Sequence, residues 1–320
     1  MSNVPSISIV IPAHNEENFL DGLLQSLEKY LAIASEIVVV NNGSTDNTSA
    51  IAKKYGCVVL DISRRQFPSK ARNLGAQKAS GDLLVFLDAD VTITEKWGQS
   101  LSDLVLSQIA NEDFLGGAPY EMSSQPSWVE TNWFEPLRRK TSNYINGGNL
   151  LMTKGIFEKI NGFDSNLETG EDVDFCKRAV KVGAYLNIDD KWKAHHEGFP
   201  KTFSGFIKRE AWHGKGDFQS LALILNSKIA IITLAFLTAH TIFVFSLAGA
   251  ILQVCDSSMY AFIGFVLIII ICMLSTVVRF KDGGQYNLMN STLISYFYFL
   301  GRSISIIRVI ADKIIKKFAG

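Results

Sequence analysis

The sequence predicts an α/β domain built on a doubly wound, mixed sheet and followed by an α-helical membrane anchor. Three observations lead to this prediction. Short β-branched runs alternate with helical patterns from Ser6 to Asp90, which is the rhythm of a mostly parallel sheet. Polar clusters follow the predicted strands, where such sheets bind ligands. Two long apolar runs occupy the last third of the chain, and each is long enough to cross a bilayer.

Composition and charge exclude several classes of protein. The 320 residues have a formal net charge of +0, whereas a nucleic-acid-binding domain usually carries a basic excess, so we expect no nucleic-acid partner. The four cysteines form no C-x-x-C pair, which argues against a zinc site or a disulfide framework and favours a reducing compartment. The amino terminus lacks the basic segment and long apolar run of a signal peptide.

The predicted strands are short, apolar and rich in β-branched residues. The first ends at Pro12, as a strand can, because proline donates no ladder hydrogen bond. Asp82–Leu87 directly precedes two aspartates, and a glycine-led strand comes later in the chain. The strands are Ser6–Ile11, Glu36–Val40, Cys57–Ile62, Asp82–Leu87 and Asn146–Thr153.

The predicted helices are marked by apolar residues at helical spacing and by glycines that follow their last turns. Gly56 and Gly183 are such C-terminal glycines. The helices are Glu17–Leu31, Thr48–Tyr55, Ser69–Ser80 and Gly170–Val182.

The membrane anchor is predicted from two apolar runs, Ile229–Val254 and Met259–Val278. Each reaches the ~20 residues that span a bilayer, and the link Cys255–Ser258 is too short for anything but a hairpin. Lysine and arginine flank the outer ends of the pair, whereas the link carries Asp256 and no basic residue. The positive-inside rule therefore places both ends, and the leading domain, in the cytoplasm of a multi-pass inner-membrane protein.

Two further segments are expected to lie on the bilayer surface. Residues 198–226 mix aromatic and basic side chains, which is typical of an interfacial amphipathic segment. Residues 282–320 repeat isoleucines among lysines and arginines, which predicts a basic amphipathic helix on the cytoplasmic leaflet. A third span from about Leu288 to Ile307 is the alternative, although it would leave the basic end outside. The predicted domains are residues 1–197, 198–226, 227–281 and 282–320.

Asp88-Ala89-Asp90 follows the fourth predicted strand. Two carboxylates so close together can share a hard divalent cation such as Mg²⁺ or Mn²⁺, which often bridges to substrate phosphates. A turn that uses aspartate for its own backbone is the alternative interpretation. The strand context favours the metal.

Three more clusters carry candidate chemistry. The polar run Asn41–Asp46 follows the second strand and suits a nucleotide base and ribose, or else a loop and a helix cap. Lys70 and Arg72 open a helix where cations can meet a diphosphate, or else a solvated face. Four acids crowd Glu168–Asp174; helix capping explains some of them, and one could be a general base that deprotonates an acceptor hydroxyl.

Taken together, these motifs resemble the family 2 glycosyltransferases, which have the GT-A fold. The likeness covers about Ile7–Leu186. The motifs, in order, are IVIPAHNEE, VVVNNGSTDNT, KARNLGAQKASGDLLVFLDAD, GGNLLMTK and GFDSNLETGEDVDFCKRA. The resemblance implies a nucleotide-diphospho-sugar donor, Mn²⁺ or Mg²⁺, and an inverting transfer to an acceptor.

The resemblance also implies a role for each matching position. Asp172 would be the catalytic base, with Glu171 beside it. Asp88 and Asp90 would bind the metal, and His196 would complete the metal site unless it is a satisfied loop histidine. Asn42 would contact the base, Asp46 would support its loop, and Arg72 would lie near the diphosphate. The whole donor-binding set is Pro12, Ala13, Asn15, Glu16, Asn42, Asp46, Arg72, Asp88 and Ala89.

One departure bears on the donor, and the anchor bears on the acceptor. The family usually has aspartate at one or both of the positions of Asn41 and Asn42, and an amide donates as well as accepts, so the base stays open. The anchor predicts a lipid-linked or membrane-delivered acceptor in cell-envelope glycan or glycolipid synthesis. A hydroxyl acceptor needs a base such as Asp172, whereas a polyprenyl phosphate is already ionised. A non-catalytic membrane partner is the remaining alternative.

Overall fold

The computed structural model describes residues 5–33, 36–107, 113–138, 144–167, 169–218, 220–254 and 256–319. The chain forms two compact units, one of residues 1–124 and 141–199 and the other of residues 125–140 and 200–320. The carboxyl boundary of the first unit lies close to the predicted domain end at 197. The sequence pattern did not indicate that residues 125–140 group with the second unit.

The first unit contains nine described strands. They are β1 Ile7–Ala13, β2 Glu36–Asn42, β3 Val58–Ile62, β4 Leu83–Leu87, β5 Val91–Thr92, β6 Phe114–Gly117, β7 Asn149–Thr153, β8 Tyr185–Ile188 and β9 His195–His196. Seven of them form one sheet in the order β3-β2-β1-β4-β7-β6-β8, and β5 pairs with β9 separately. The first four strands are parallel, whereas β7 runs antiparallel to β4 and β6. The predicted mixed, doubly wound sheet is confirmed.

β1 extends through Pro12 to Ala13, two residues beyond the predicted end of this strand. Its ladder with β4 reaches only Val10, whereas its ladder with β2 continues to Ala13. Pro12 therefore needs no hydrogen bond on the β4 side, and the missing amide proton costs the sheet nothing there.

The α-helices of the described residues are divided between the two units. In the first unit they are α1 Leu20–Tyr30, α2 Thr48–Lys54, α3 Pro68–Lys78, α4 Glu95–Leu106, α6 Lys154–Lys159 and α7 Glu171–Lys181. In the second unit they are α5 Glu135–Arg138, α8 Phe203–His213, α9 Leu221–Asn226, α10 Lys228–Ile251, α11 Ser257–Phe280 and α12 Leu288–Ala319. The four helices predicted for the leading domain are present, each shorter than predicted, and the two apolar runs form α10 and α11.

The core of the first unit lies on both faces of the sheet. Alternate residues of a strand point to opposite faces, so Ile9 and Val85 pack in one apolar cluster while Val10 and Phe86 pack in the other. All five residues of β4 are buried, and a strand buried on both faces reads as a continuous apolar run. This arrangement leaves the carboxyl ends of the central strands as the polar edge.

In the second unit, α10 and α11 pack as an antiparallel hairpin, and Cys255 of its link lies outside the described residues. Gly264 faces the backbone of Phe243 so closely that a Cβ there would lie 2.7 Å from the Phe243 nitrogen. Small residues allow such close approach between membrane helices. Three helical segments are long and apolar enough to cross a membrane, namely Lys228–Ile251, Ser257–Phe280 and Leu288–Ala311.

α12 packs against the hairpin and against α8. The Tyr296 hydroxyl lies 3.1 Å from Nε2 of His240, at the midpoint of α10. Thr276, near the carboxyl end of α11, bonds the Ser295 hydroxyl at 2.7 Å. Farther along, Arg302 donates to the Glu210 carboxylate of α8 at 3.0 Å. These contacts join α12 to α8, to the middle of α10 and to the carboxyl-terminal part of α11.

Candidate active site

The loops after β1 and β2 form one interlocked structure at the polar edge of the sheet. Asn15 has a left-handed backbone, with φ of 58°; its side-chain oxygen accepts from the Thr45 amide at 2.8 Å, and its own amide donates to the Ser44 hydroxyl at 3.0 Å. Asp46 accepts from the Glu17 amide at 3.1 Å. Asp46 therefore helps to hold together the two loops, the first of which follows Pro12 and Ala13 at the end of β1.

Asn42, at the end of β2, is almost completely buried. Its side-chain amide donates to the carbonyl oxygen of Gln66 at 2.9 Å and accepts from the Gln66 amide at 2.7 Å. The family resemblance implied that this side chain contacts the nucleotide base. In the structure both of its polar ends are bonded to the backbone that follows β3.

Carboxylates converge where β4 ends. Ala89 is buried between Asp88 and Asp90, and the Tyr120 hydroxyl donates to Asp88 at 3.2 Å. Burial, together with the charges of Asp90 and Asp88, raises the pKa of Glu16 to about 8. Such crowding of negative charge makes a protonated carboxyl or a bound cation favourable in this site.

Arg72 connects these carboxylates to the acidic helix start at α7. It is only 4% exposed, and its guanidinium donates to Asp88 and to Glu171, both at 2.7 Å. The resemblance implied that Arg72 lies near the donor diphosphate. The structure places it as a buried link between β4 and α7, with two carboxylates already bound.

Asp172 lies in the first turn of α7, next to Glu171. One oxygen accepts from the Gly147 amide at 3.4 Å and the other from the Val173 amide at 2.8 Å. Burial raises the pKa of Asp172, and the adjacent Glu171 raises it further, against an opposing effect of Arg72. A carboxylate whose pKa is raised toward neutrality is a stronger base. Glu168, the first acid of the predicted cluster, lies outside the described residues.

His196 lies next to Asp90 because β9 pairs with β5, directly after the aspartate motif. Its Nε2 is 3.6 Å from an Asp90 oxygen, and its ring contacts Tyr120 and Phe199 at centroid distances of 4.7 and 4.3 Å. Burial raises the pKa of Asp90, although His196 opposes the shift. A cation here would offset the cost of burying the carboxylate charge, so oxygen and imidazole ligands at this place fit Mn²⁺ or Mg²⁺.

The described acidic and histidine side chains of this site are not arranged as a complete set of metal ligands. Within the part of the chain that the structure describes, no three acidic, histidine or cysteine side chains are grouped as ligands. Asp88 is turned toward Arg72 instead. Asp90 and His196 are thus the pair best placed for a cation, with Asp88 as a third ligand only if it leaves the arginine.

Two glycines let the chain pass directly over the aspartates. A Cβ at Gly148 would overlap the Asp88 carboxylate, and one at Gly198 would overlap the Asp90 carboxylate. Neither these glycines nor Tyr120 was among the predicted site residues. Tyr120 follows β6, a strand that the sequence pattern did not indicate, so its place beside Asp88 depends on pairing between distant segments.

Replacement of Gly198 with alanine is expected to displace Asp90 and to lower activity about tenfold or more, because close-packed sites respond strongly to small misplacements. Gly155→Ala is the matched control, since a Cβ there meets nothing within 4 Å. Initial rates of sugar transfer measure the effect. Equal activity of the two variants would show that sugar transfer does not depend on the exact position of Asp90.

Comparison with known proteins agrees with the geometry of the first unit. Residues 8–153 match the family model described as glycosyl transferase family 2. Residues 8–153 are a family 2 glycosyltransferase domain. The first three motifs, including the Asp-Ala-Asp turn, lie within the matched residues, the fourth ends one residue beyond them, and the fifth follows at Gly162–Ala179.

Two relatives show how far the likeness extends. The chain is 28% identical to glycosyltransferase AglE of Haloferax volcanii over 233 residues, which are 68% of this chain and 75% of that protein. It is 25% identical to the pre-mycofactocin glycosyltransferase of Mycobacterium tuberculosis over 239 residues, which are 70% of this chain but 49% of that one. The chain thus spans about half the length of the mycobacterial relative.

A solved structure confirms the GT-A fold of this glycosyltransferase. The mannosyltransferase PcManGT from Pyrobaculum calidifontis, in complex with GDP-Man and Mn²⁺, aligns with a TM-score of 0.52 at 14% identity. The alignment covers 83% of this chain and 86% of that one. At this identity the likeness concerns the fold alone.

Proposed function

We propose that this glycosyltransferase inverts the anomeric centre as it moves a sugar from a nucleotide-diphospho-sugar to a hydroxyl group. The observation that carries the proposal is the buried link Glu171–Arg72–Asp88. It holds the acidic start of α7, with Asp172, beside the aspartates that follow β4. A base for the acceptor and a site for the donor are therefore adjacent in the same unit.

The reaction follows from this arrangement. Asp172 takes the proton of the acceptor hydroxyl as its oxygen attacks the anomeric carbon. The carbon–oxygen bond to the diphosphate breaks in the same displacement, so the nucleoside diphosphate leaves and the configuration inverts. Glu171 stays bound to Arg72, which leaves Asp172 as the carboxylate available to the acceptor.

We further propose that the enzyme depends on Mn²⁺ or Mg²⁺. Asp90 and His196 would hold the cation, with Asp88 nearby. A divalent cation there would stabilise the negative charge that develops on the leaving diphosphate.

The membrane part of the proposal concerns the anchor. Lys228 and Arg279 lie at the two ends of the hairpin remote from its link, which favours a cytoplasmic location for both ends. The lysines and arginines among the isoleucines of residues 282–320 favour a surface helix there, and a third span over Leu288–Ala311 is the alternative. The exposed leucines of α9 suit insertion into the interface. An acceptor that is lipid-linked or delivered at the inner membrane fits this setting.

A donor screen tests the proposed function. Purified protein in detergent is offered UDP-, GDP- and dTDP-sugars with Mn²⁺, with Mg²⁺ and with a chelator. We expect turnover of one donor class that the chelator abolishes. Activity that survives chelation would contradict the metal assignment, and no turnover of any donor would favour a non-catalytic membrane partner.

Labelling of single cysteines tests the orientation. In a chain whose native cysteines are replaced with serine, Ser258→Cys lies exposed in the first turn of α11, next to the link, and Lys201→Cys lies before α8. A membrane-impermeant maleimide is expected to label Cys at 258 in intact cells and Cys at 201 only after permeabilisation. The reverse pattern would place the glycosyltransferase domain outside.

A further inference from the structure

The loop that follows β3 is fixed to the end of β2 by two unusual contacts. The first is the pair of hydrogen bonds between the Asn42 side chain and the backbone of Gln66, at 2.9 and 2.7 Å. The second is at Gly43, whose φ is 70°. A Cβ on Gly43 would lie 2.6 Å from the backbone nitrogen of Arg65. The backbone of this loop therefore lies directly on the strand end.

The chemistry of these contacts explains why position 42 is asparagine. Its side chain must donate to the Gln66 carbonyl and accept from the Gln66 amide at the same time, and an amide does both. An aspartate could accept from the amide, but its second oxygen would face the carbonyl oxygen and repel it. Asn42 is thus matched to the loop, and its burial leaves little of the amide exposed to a nucleotide base.

The fixed loop presents Arg65 to solvent beside the candidate donor site. The positive charge of Arg65 acts on Glu16, where it lowers the pKa against the stronger effects of burial and of the aspartates. The backbone contact with Gly43 at the end of β2 keeps Arg65 at this edge of the sheet. Arg72, in contrast, is buried and already holds two carboxylates.

We propose that Arg65 binds the nucleoside diphosphate of the donor, and that Asn42 and Gly43 are positioning residues that aim it. The site has several carboxylates, and a diphosphate adds further negative charge, so an accessible cation is needed besides a metal ion. Guanidinium N–H groups suit phosphate oxygens better than other side chains do. This inference rests on the proposed function, since it names the residue that recognises the donor.

Calorimetric titration of UDP and GDP with Mg²⁺ into the detergent-solubilised protein tests the role of Arg65. Arg65→Ala is expected to weaken binding of the preferred nucleotide about tenfold or more, and Arg65→Lys to weaken it less. Arg64→Ala, an equally exposed neighbour, is the matched control and should change binding less than about twofold. Unchanged affinity in Arg65→Ala would overturn the proposal.

A double-variant cycle tests whether Asn42 acts through Arg65. Asn42→Ala and Asn42→Asp should both weaken binding, and Asn42→Ala combined with Arg65→Ala should be no weaker than Arg65→Ala alone. Losses that multiply in the double variant would overturn the positioning role, even if Asn42→Ala also lowers the melting temperature. If the wild type binds neither nucleotide, and no other nucleoside diphosphate, the proposed function itself fails.

Discussion

Replacement of Asp172 with asparagine is expected to lower kcat for a hydroxyl acceptor by about 10²–10⁴-fold, which is the usual contribution of a general base. The amide keeps the shape of the side chain, and its one oxygen can still accept from the Val173 amide, whereas the longer bond from the Gly147 amide at 3.4 Å is lost. It cannot take the acceptor proton. Donor affinity should change less than about twofold, because the replaced oxygen binds no donor group in the proposed reaction.

Asp174→Asn is the matched control for this variant. Asp174 lies on the same helix, is partly exposed, and pairs with Arg178 at 2.7 Å, so its loss should cost little. Single-turnover rates and donor titrations separate the two effects. Loss of donor binding in Asp172→Asn would remove Asp172 from the role of base, and full activity with a polyprenyl phosphate would point to an acceptor that is already ionised.

The pH dependence of kcat/KM is a second test of Asp172 as the general base. The base acts only when deprotonated, and burial and Glu171 raise the pKa of Asp172 above its ordinary value. Activity should therefore fall, as the pH is lowered, at a higher pH than for an ordinary aspartate. Glu171→Gln removes a neighbouring negative charge, so the acid limb of kcat/KM should move to lower pH. A limb that stays in place would show that another group titrates.

The parts of the fold that the sequence predicted are those whose local pattern agrees with their final environment. β4 is buried on both faces and is an unbroken apolar run, and the centres of β1 and β2, Ile9–Ile11 and Val38–Val40, have the same character. β6 is different, because Gly116 and Gly117 are poor strand formers. It is a strand because β7 and β8 pair with its two sides, and no local pattern records that pairing.

The sequence indicates candidate residues for the site but not their partners. The aspartates after β4 and the acids at α7 stand out in the sequence, yet Arg72 bonds Glu171 across 99 positions of the chain. The sequence pattern does not show this contact, and without it Arg72 is expected near the diphosphate. The partner of Asn42 is equally hidden in the sequence. It is the backbone of Gln66, and a hydrogen bond to the backbone does not depend on which residue supplies it.

Replacement of Arg72 with methionine is expected to lower the free energy of unfolding by about 3–5 kcal/mol, because removal of one member of a buried charge network leaves the others unpaired. Glu171 would bear most of this cost, since its side chain is 12% exposed, whereas that of Asp88 is 31% exposed. Denaturant unfolding of the detergent-solubilised protein, followed by fluorescence of the buried Trp97 and Trp192, measures the change. Lys70→Met, exposed on the same helix, should change stability by less than about 0.5 kcal/mol.

The double variant Arg72→Met with Glu171→Gln decides what the arginine does. If the loss comes from an unpaired buried charge, neutralising Glu171 should recover a large part of the stability, since a neutral buried side chain avoids most of the desolvation cost. Activity should stay low in both variants, because α7 and Asp88 would no longer be joined. Recovery of activity together with stability would mean that Arg72 only offsets charge, and that Asp172 keeps its place beside the donor without the link.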